Sequence, residues 1–332
     1  MSRLTQTLIP PAQRQTVDAL NDALDLGHGD TLSKRTGFLI MLTLAGMIAI
    51  AGVLSDSTAT VIGAMIIAPL GTPILGIALG IVTGHLSLVI RSILWVLSGV
   101  VIVVVLGLLF TVFVATPESL AANSQVTGRT SPSLMDLIAA LATGFAGGFA
   151  MCRKDLSAVL PGVAIAISLV PPLGVVGVTA GQGLWSDALG AFVLFLSNVV
   201  ALVIAGSIVF TMAGYARDPA SSQVANRRRA YTVVTVLALI VTIPLGANSV
   251  VTIALARWGL TIQEVAADWL QDESGARVYE VEWSGLNATL DITTDDGQVP
   301  PLDDLQQSLS TAVPSFVGVV IDVGQGVEYV VQ

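Results

Sequence analysis

Long apolar runs separated by short polar breaks occupy the chain up to about residue 256, and the pattern then changes. Seven runs lie near or above the ~20 residues that a helix needs to cross a bilayer. They cover 36–54, 57–83, 87–116, 133–152, 157–180, 187–214 and 230–256. Ahead of them, Val17, Leu20 and Leu24 recur at helical spacing within 12–26, which predicts a short amphipathic helix on the cytoplasmic face or on the bundle. After residue 258 the apolar positions thin out. Ile262 to Leu270 and Pro301 to Thr311 read as helices; Val278–Trp283, Ala288–Thr293, Phe316–Val323 and Val327–Val331 read as strands, with Ser284 and Gly285 in a hairpin turn.

The membrane stretch is written twice. Asp56, Ala59, Gly63, Ile66, Leu70 and Pro73 recur as Asp155, Ala158, Gly162, Ile165, Leu169 and Pro172, always 99 residues later. Leu97, Ser98, Val104 and Gly107 recur as Leu196, Ser197, Val203 and Gly206 at the same offset. Matches among Val and Leu are cheap in apolar sequence; matches of Asp, Gly, Pro and Ser at one offset are not. Each copy holds three spans, an odd number, so the second copy enters the membrane from the opposite side. The expected fold is an α-helical polytopic membrane protein of seven spans. Two inverted three-helix repeats, 36–116 and 133–214, contain broken helices. A cytoplasmic segment (1–35) precedes them, and a seventh span (230–256) and a small acidic α+β domain (258–332) follow.

Composition strengthens the membrane assignment and charge orients it. Of 332 residues 54% are hydrophobic and 11% charged, against about 25% charged in soluble domains. The net charge of -9 is segregated. From Leu260 onward there are thirteen carboxylates and one base, Arg277. With the N-terminus inside, Arg3, Arg14, Lys34, Arg35, Arg91, Arg153, Lys154, Arg217 and Arg227–Arg229 are cytoplasmic, while Arg129, Arg257 and Arg277 are not. Basic residues stay in the cytoplasm during insertion. This predicts a multi-pass protein of the cytoplasmic membrane with an extracytoplasmic C-terminal domain. No basic, aromatic-interleaved patch suggests nucleic acid. A lone cysteine, Cys152, excludes an intrachain disulfide framework and reads as a small apolar filler at a helix end.

The candidate chemistry lies in spans two and five. Pro69, Gly71 and Pro73 fall near the middle of span two, and Pro171, Pro172 and Gly174 near that of span five. Proline removes a backbone donor and clashes with the preceding turn, so both helices should open there. Backbone freed in hydrocarbon must be satisfied by protein, water or a ligand. Thr72, Pro73, Ser168, Pro171, Pro172, Ser197 and Asn198 are therefore the expected substrate- or ion-binding set. The structural alternative is a kink without a ligand, with Gly63, Gly76, Gly80, Gly144, Gly147 and Gly148 serving close helix packing. Asp56 and Asp155 stand at the starts of the broken helices, as caps of free amides or as gating groups at opposite entrances. Arg91 is expected to snorkel to the cytoplasmic interface rather than pair. His28 and His85 have no second ligand at metal spacing, no catalytic set is present, and neither metal, cofactor nor enzymatic activity is expected.

The run Val61-Ile62-Gly63-Ala64-Met65-Ile66-Ile67-Ala68-Pro69-Leu70-Gly71-Thr72-Pro73-Ile74-Leu75-Gly76, with Leu160-Pro161-Gly162-Val163-Ala164-Ile165-Ala166 and Leu169-Val170-Pro171-Pro172-Leu173, resembles the prokaryotic membrane family called domain of unknown function 389. The resemblance covers spans one to six. It implies kinship of fold and brings no activity with it. Function therefore rests on the repeat and the breaks, which point to a transporter or ion-conducting protein with a midplane site for a small solute or ion. The alternative is a non-transporting scaffold or sensor whose extracytoplasmic domain binds a ligand or partner. Small-residue faces predict a homo-oligomer in the lipid bilayer.

Overall fold

The computed structural model describes residues 8–114, 116, 119–120, 122–131, 133–159, 169–217, 232, 235, 239, 243, 246, 254–271, 276–284, 287–294, 299–314 and 316–325. The chain divides into two compact units, Met1–Gly246 and Ala247–Gln332.

In the first unit, α1 (Val17–Leu24) is capped by Thr16, whose hydroxyl accepts from the Ala19 amide, and it buries Val17, Leu20 and Leu24. The spacing-predicted face is thus the one that docks on the bundle. Helix α2 (Thr31–Leu54) starts ahead of the predicted 36 because Asp30 accepts from the Ser33 amide and carries the helix through Lys34 and Arg35. Span two is split into α3 (Thr58–Ile67) and α4 (Gly71–Thr83), bent by 49° at the break. Pro69 sits in the break and has no N–H to offer the last carbonyls of α3.

Helix α5 (Leu86–Phe110) ends in a 3-10 turn, Thr111–Phe113. A short helix that the hydropathy pattern did not predict, α6 (Ser124–Thr130), precedes α7 (Leu134–Cys152). Span five is described as a 3-10 turn (Lys154–Val159) and α8 (Val170–Gly181), with Pro171 and Pro172 in the first turn of the helix. Residues 160–168 lie outside the described residues. Helix α9 (Trp185–Met212) completes the repeats. Four of these helices are long and apolar enough to cross a membrane, and the bent pair α3–α4 makes five. Most of the predicted seventh span lies outside the described residues.

The 99-residue offset reappears in the fold. Helices α4 and α8 start at Gly71 and Val170; α5 and α9 start at Leu86 and Trp185. Gly84 and Gly183, which end α4 and the turn after α8, both take φ +78°, a conformation that a side chain strains.

The buried apolar residues form three clusters in this unit. A middle cluster contains Leu70 and Leu169, Ile74 and Leu173, Val96 and Phe195, and Val103 and Leu202, each residue with the one 99 positions on. A second cluster gathers α1, the last turns of α4, α7 and α9 and the first turn of α5, including Leu79, Cys152, Val209 and Ala213. A third gathers the other ends and includes Val178, Val53, Phe110 and Val114, the offset mates of those four. For these pairs the offset stays within the middle cluster and exchanges the two end clusters, whereas Ile77 of the middle cluster has its mate, Val176, beside the third.

The repeats are joined by reciprocal close packing. A methyl on Gly107 of α5 would stand 2.7 Å from Gly177 Cα and 2.8 Å from Gly174 O of α8. A methyl on Gly206 of α9 would meet the side chains of Leu75 and Ala78 of α4 at 3.0 and 3.1 Å. Gly206, Gly174 and Gly177 are the offset mates of Gly107, Leu75 and Ala78. Of the glycines expected to serve packing, Gly76, Gly80, Gly144 and Gly148 meet neighbours, whereas a methyl on Gly63 would meet nothing within 4 Å.

In the second unit, α10 (residues 254–269) and α11 (Leu302–Ala312) cover one face of a three-stranded sheet. Strands β1 (Arg277–Ser284) and β2 (Asn287–Thr294) pair antiparallel, with a register shift between Val278 and Val281. Strand β3 (Gly318–Gln325) returns through α11 and pairs parallel to β2, giving the order β1-β2-β3. Ala288, Leu290 and Ile292 alternate inward from β2 and meet Ile262, Ala266, Leu305 and Leu309. The predicted fourth strand, 327–331, lies outside the described residues.

The Gly107–Gly177 contact is directly testable. Gly177→Val is expected to cost about 1–3 kcal/mol by overpacking. Gly63→Ala is expected to leave the melting temperature unchanged or raise it. Thermal unfolding of the detergent-solubilised protein reads both.

Candidate functional site

The break of span two and the start of α8 come together at the middle cluster. Leu70 and Leu169 immediately precede α4 and α8, and both are buried in that cluster. Neither helix start carries a side-chain cap. Around the break the Thr72 amide donates to Pro69 O at 3.2 Å and the Ile74 amide to Leu70 O at 3.4 Å. Thr72 is half-buried; Pro73, Pro171 and Pro172 are buried. Ser168 lies outside the described residues.

Ser197 and Asn198 are buried on α9. The Ser197 hydroxyl donates to Leu194 O of its own helix at 2.8 Å, so it lends no free donor to the midline. Asn198 is the offset mate of Gly99. A methyl on Gly99 would stand 2.6 Å from the Leu70 side chain, so glycine there leaves room for Leu70. The second repeat carries an amide side chain at the matching position. The described midline is therefore mostly apolar, with Thr72 and Asn198 as polar side chains; Pro73, Pro171 and Pro172 leave the first turns of α4 and α8 few amides.

The two duplicated aspartates lie at opposite ends of the bundle. Asp56 follows α2 at φ +50°. Ser57, not Asp56, caps α3, through an acceptor contact with the Thr60 amide. The Asp56 carboxylate instead accepts from the Ser124 hydroxyl at 2.6 Å and from the Gln125 amide at 3.1 Å, beside Asn123, whose side chain caps α6 through the Gln125 and Val126 amides. Gln125 Nε2 donates to Thr58 Oγ1 at 2.8 Å, and Asn123 Nδ2 donates to Val53 O at 2.8 Å. These four contacts clasp α6 onto the turn between spans one and two. The Ser124 hydroxyl holds the Asp56 carboxyl below its ordinary 3.8.

Asp155 makes a two-pronged ion pair with Arg153, at 3.0 Å to Nε and 2.6 Å to Nη2. Hydrogen bonding to Arg153 lowers the Asp155 carboxyl, and the same bond raises the guanidinium. Arg153 Nη1 donates to Leu8 O at 3.0 Å. Arg91, expected to snorkel, instead pairs with Asp25 at 2.6 Å. Asp25 also accepts from the Gly27 amide at 2.7 Å. A buried carboxylate just after α1 makes pairing worth more to Arg91 than reaching for water. The sequence offered no signal for this pair, whose partners are 66 residues apart.

Residues 65–204 match the family model described as "Domain of unknown function (DUF389)". The DUF389 resemblance read from the motifs holds over that stretch. It takes in the break of span two, α8 and the buried polar pair of α9, and it leaves out Asp56 and the C-terminal unit. An uncharacterized protein of Methanocaldococcus jannaschii is 33% identical over 194 residues, covering 58% of this chain. The match spans 58% of that relative's own length. No solved structure matches the chain.

Because the Asp56 carboxyl titrates lower in the fold than in the unfolded chain, its clasp is at full strength above the ordinary value. It weakens as pH falls through the depressed one. Asp56→Asn is expected to give at neutral pH the loosened α6 that the native chain shows only in acid. Amide exchange at Gln125, measured at both pH values, checks this.

Proposed function

We propose that the chain is a multi-pass transporter or ion-conducting protein of the cytoplasmic membrane, its site at the midline between the breaks of spans two and five. One observation carries this reading: the offset pairs named above either stay within the middle cluster or exchange the two end clusters. A two-fold axis lying in the membrane plane through the middle cluster has that effect. On this reading the segments 36–116 and 133–214 are inverted repeats, and the breaks meet beside the axis. Inverted repeats with discontinuous helices at the midplane are a recurrent build of secondary transporters. With almost no countercharge in the spans, a small neutral solute or an ion is favoured over a multiply charged species.

The basic residues Arg14, Lys34, Arg91, Arg153 and Lys154 belong to the elements of the α1 end, which favours that end as cytoplasmic. The C-terminal unit is then extracytoplasmic, across a seventh span. The partners we assign are the bilayer, the small solute or ion, and further copies of the chain; no catalysis and no nucleic acid enter the proposal.

A second reading is favoured by the apolar, packed midline formed by Leu70, Ile74, Leu169 and Leu173. It is a membrane scaffold or sensor that transports nothing and works through its C-terminal domain. Reconstituted liposomes separate the two. The transporter reading expects solute or ion flux that falls at least about tenfold when Thr72→Val and Ser168→Ala are combined, equivalent to about 1.4 kcal/mol. No flux for any small anion, cation or neutral solute favours the scaffold; flux unchanged in the double variant moves the site elsewhere.

A further inference from the structure

Both ends of the bundle are closed by segments that stand outside the duplication. Residues 8–30 precede the first repeat and 119–130 join the two. Each is an apolar plug. Ile9, Val17, Leu20 and Leu24 are buried against the ends of α4, α5, α7 and α9, and the Leu24 carbonyl comes so near α4 that a methyl on Gly76 would stand 2.9 Å from it. Leu120 and Val126 are buried against the ends of α2 and α8 and the start of α9. The offset places 20–31 on 119–130, where Ala23, Gly29 and Thr31 meet Ala122, Gly128 and Thr130, but the other positions differ.

Their attachment points, however, are the duplicated pair. Asp56 takes the Ser124 hydroxyl and the Gln125 amide of one plug. Asp155 fixes the Arg153 guanidinium, whose remaining arm holds the Leu8 carbonyl of the other. The backbone repeats this tie, since the Lys154 amide donates to Gln13 O and the Gln15 amide to Cys152 O. The Asp25–Arg91 pair, with the Asp25 side chain only 7% exposed, fastens the far end of the same plug to α5.

We propose that Asp56 and Asp155 are equivalent latches that hold two covers shut, one over each end of the bundle, and that each cover opens separately. This rests on the inverted-repeat reading, because only an axis that exchanges the ends makes the two aspartates equivalent. Asp155 is a positioning residue: it acts on its cover through Arg153, whereas Asp56 touches its cover directly. The apolar contacts resist opening at both ends, and the latch sets how often an end frays.

The chain carries its own reporter. Cys152 is its sole cysteine, is fully buried, and lies directly beneath the 8–30 cover. In the purified, detergent-solubilised protein, the rate at which a maleimide labels Cys152 reads the opening of that cover. Amide exchange at Val126 reads the opening of the other. Asp155→Asn is expected to speed labelling about threefold, as fits the loss of an exposed pair. Asp25→Asn is expected to speed it at least about tenfold, because it removes a shielded carboxylate that accepts from both Arg91 and the Gly27 amide. Neither is expected to change exchange at Val126. Asp56→Asn is expected to do the converse.

Labelling at the native rate in Asp155→Asn overturns the proposal, as does any variant that loosens both ends together. If Asp25→Asn fails to fold, the exposed Asp155→Asn still decides. Neither readout needs a solute to move. Separate loosening of the ends with no flux sinks only the transport reading; flux without separate loosening sinks only the latches.

Discussion

Helices in lipid gain nothing from leaving water, so they associate through close packing and whatever polar contacts they can make. In this chain such packing joins α5 to α8, where Gly107 lies against Gly174 and Gly177 with bare backbone on both sides. The reciprocal meeting of α9 with α4 puts Gly206 against Leu75 and Ala78. Each contact binds a helix of one copy to a helix of the other. The middle cluster exists because of these two exchanges, which bring Leu70 and Leu169 into one core. Any functional midline depends on them before it depends on a polar side chain.

The fold was legible in the sequence wherever a residue type has a strong local consequence. Pro69 announced the split in span two because proline cannot donate to the preceding turn. Val17, Leu20 and Leu24 announced α1 because three apolar residues at helical spacing define one face. The offset was legible in Asp, Gly, Pro and Ser, residues that an apolar segment does not choose by default. In the tail, alternation gave β1, β2 and β3, and the helix between β2 and β3 was marked by the proline at its start.

What escaped was long-range or competitive. Asp56 seemed placed to cap α3, but Ser57 stands one position closer and takes that role, which frees the carboxylate for a helix 68 residues away. Helix α6 itself is short and polar, so no hydropathy window could register it. Arg91 lay at the right depth to snorkel, and only the packing of α1 against α4 brings Asp25 within its reach. Gly63 looked like its fellow glycines in sequence, yet its face meets nothing. Of the candidate site residues, Ser197 looked like an open polar group in the sequence, yet it is occupied within its own helix turn.

The sheet of the C-terminal unit has an implication for biogenesis. Its central strand, β2, acquires a neighbour on one side from the preceding hairpin, but on the other side only after α11 has been made and β3 has followed. A parallel partner needs a crossover. During synthesis β2 must therefore wait with one row of peptide groups unpaired until residues 318–325 arrive. If the domain is carried across the membrane, the unfinished sheet makes the passage, and the finished one forms on arrival.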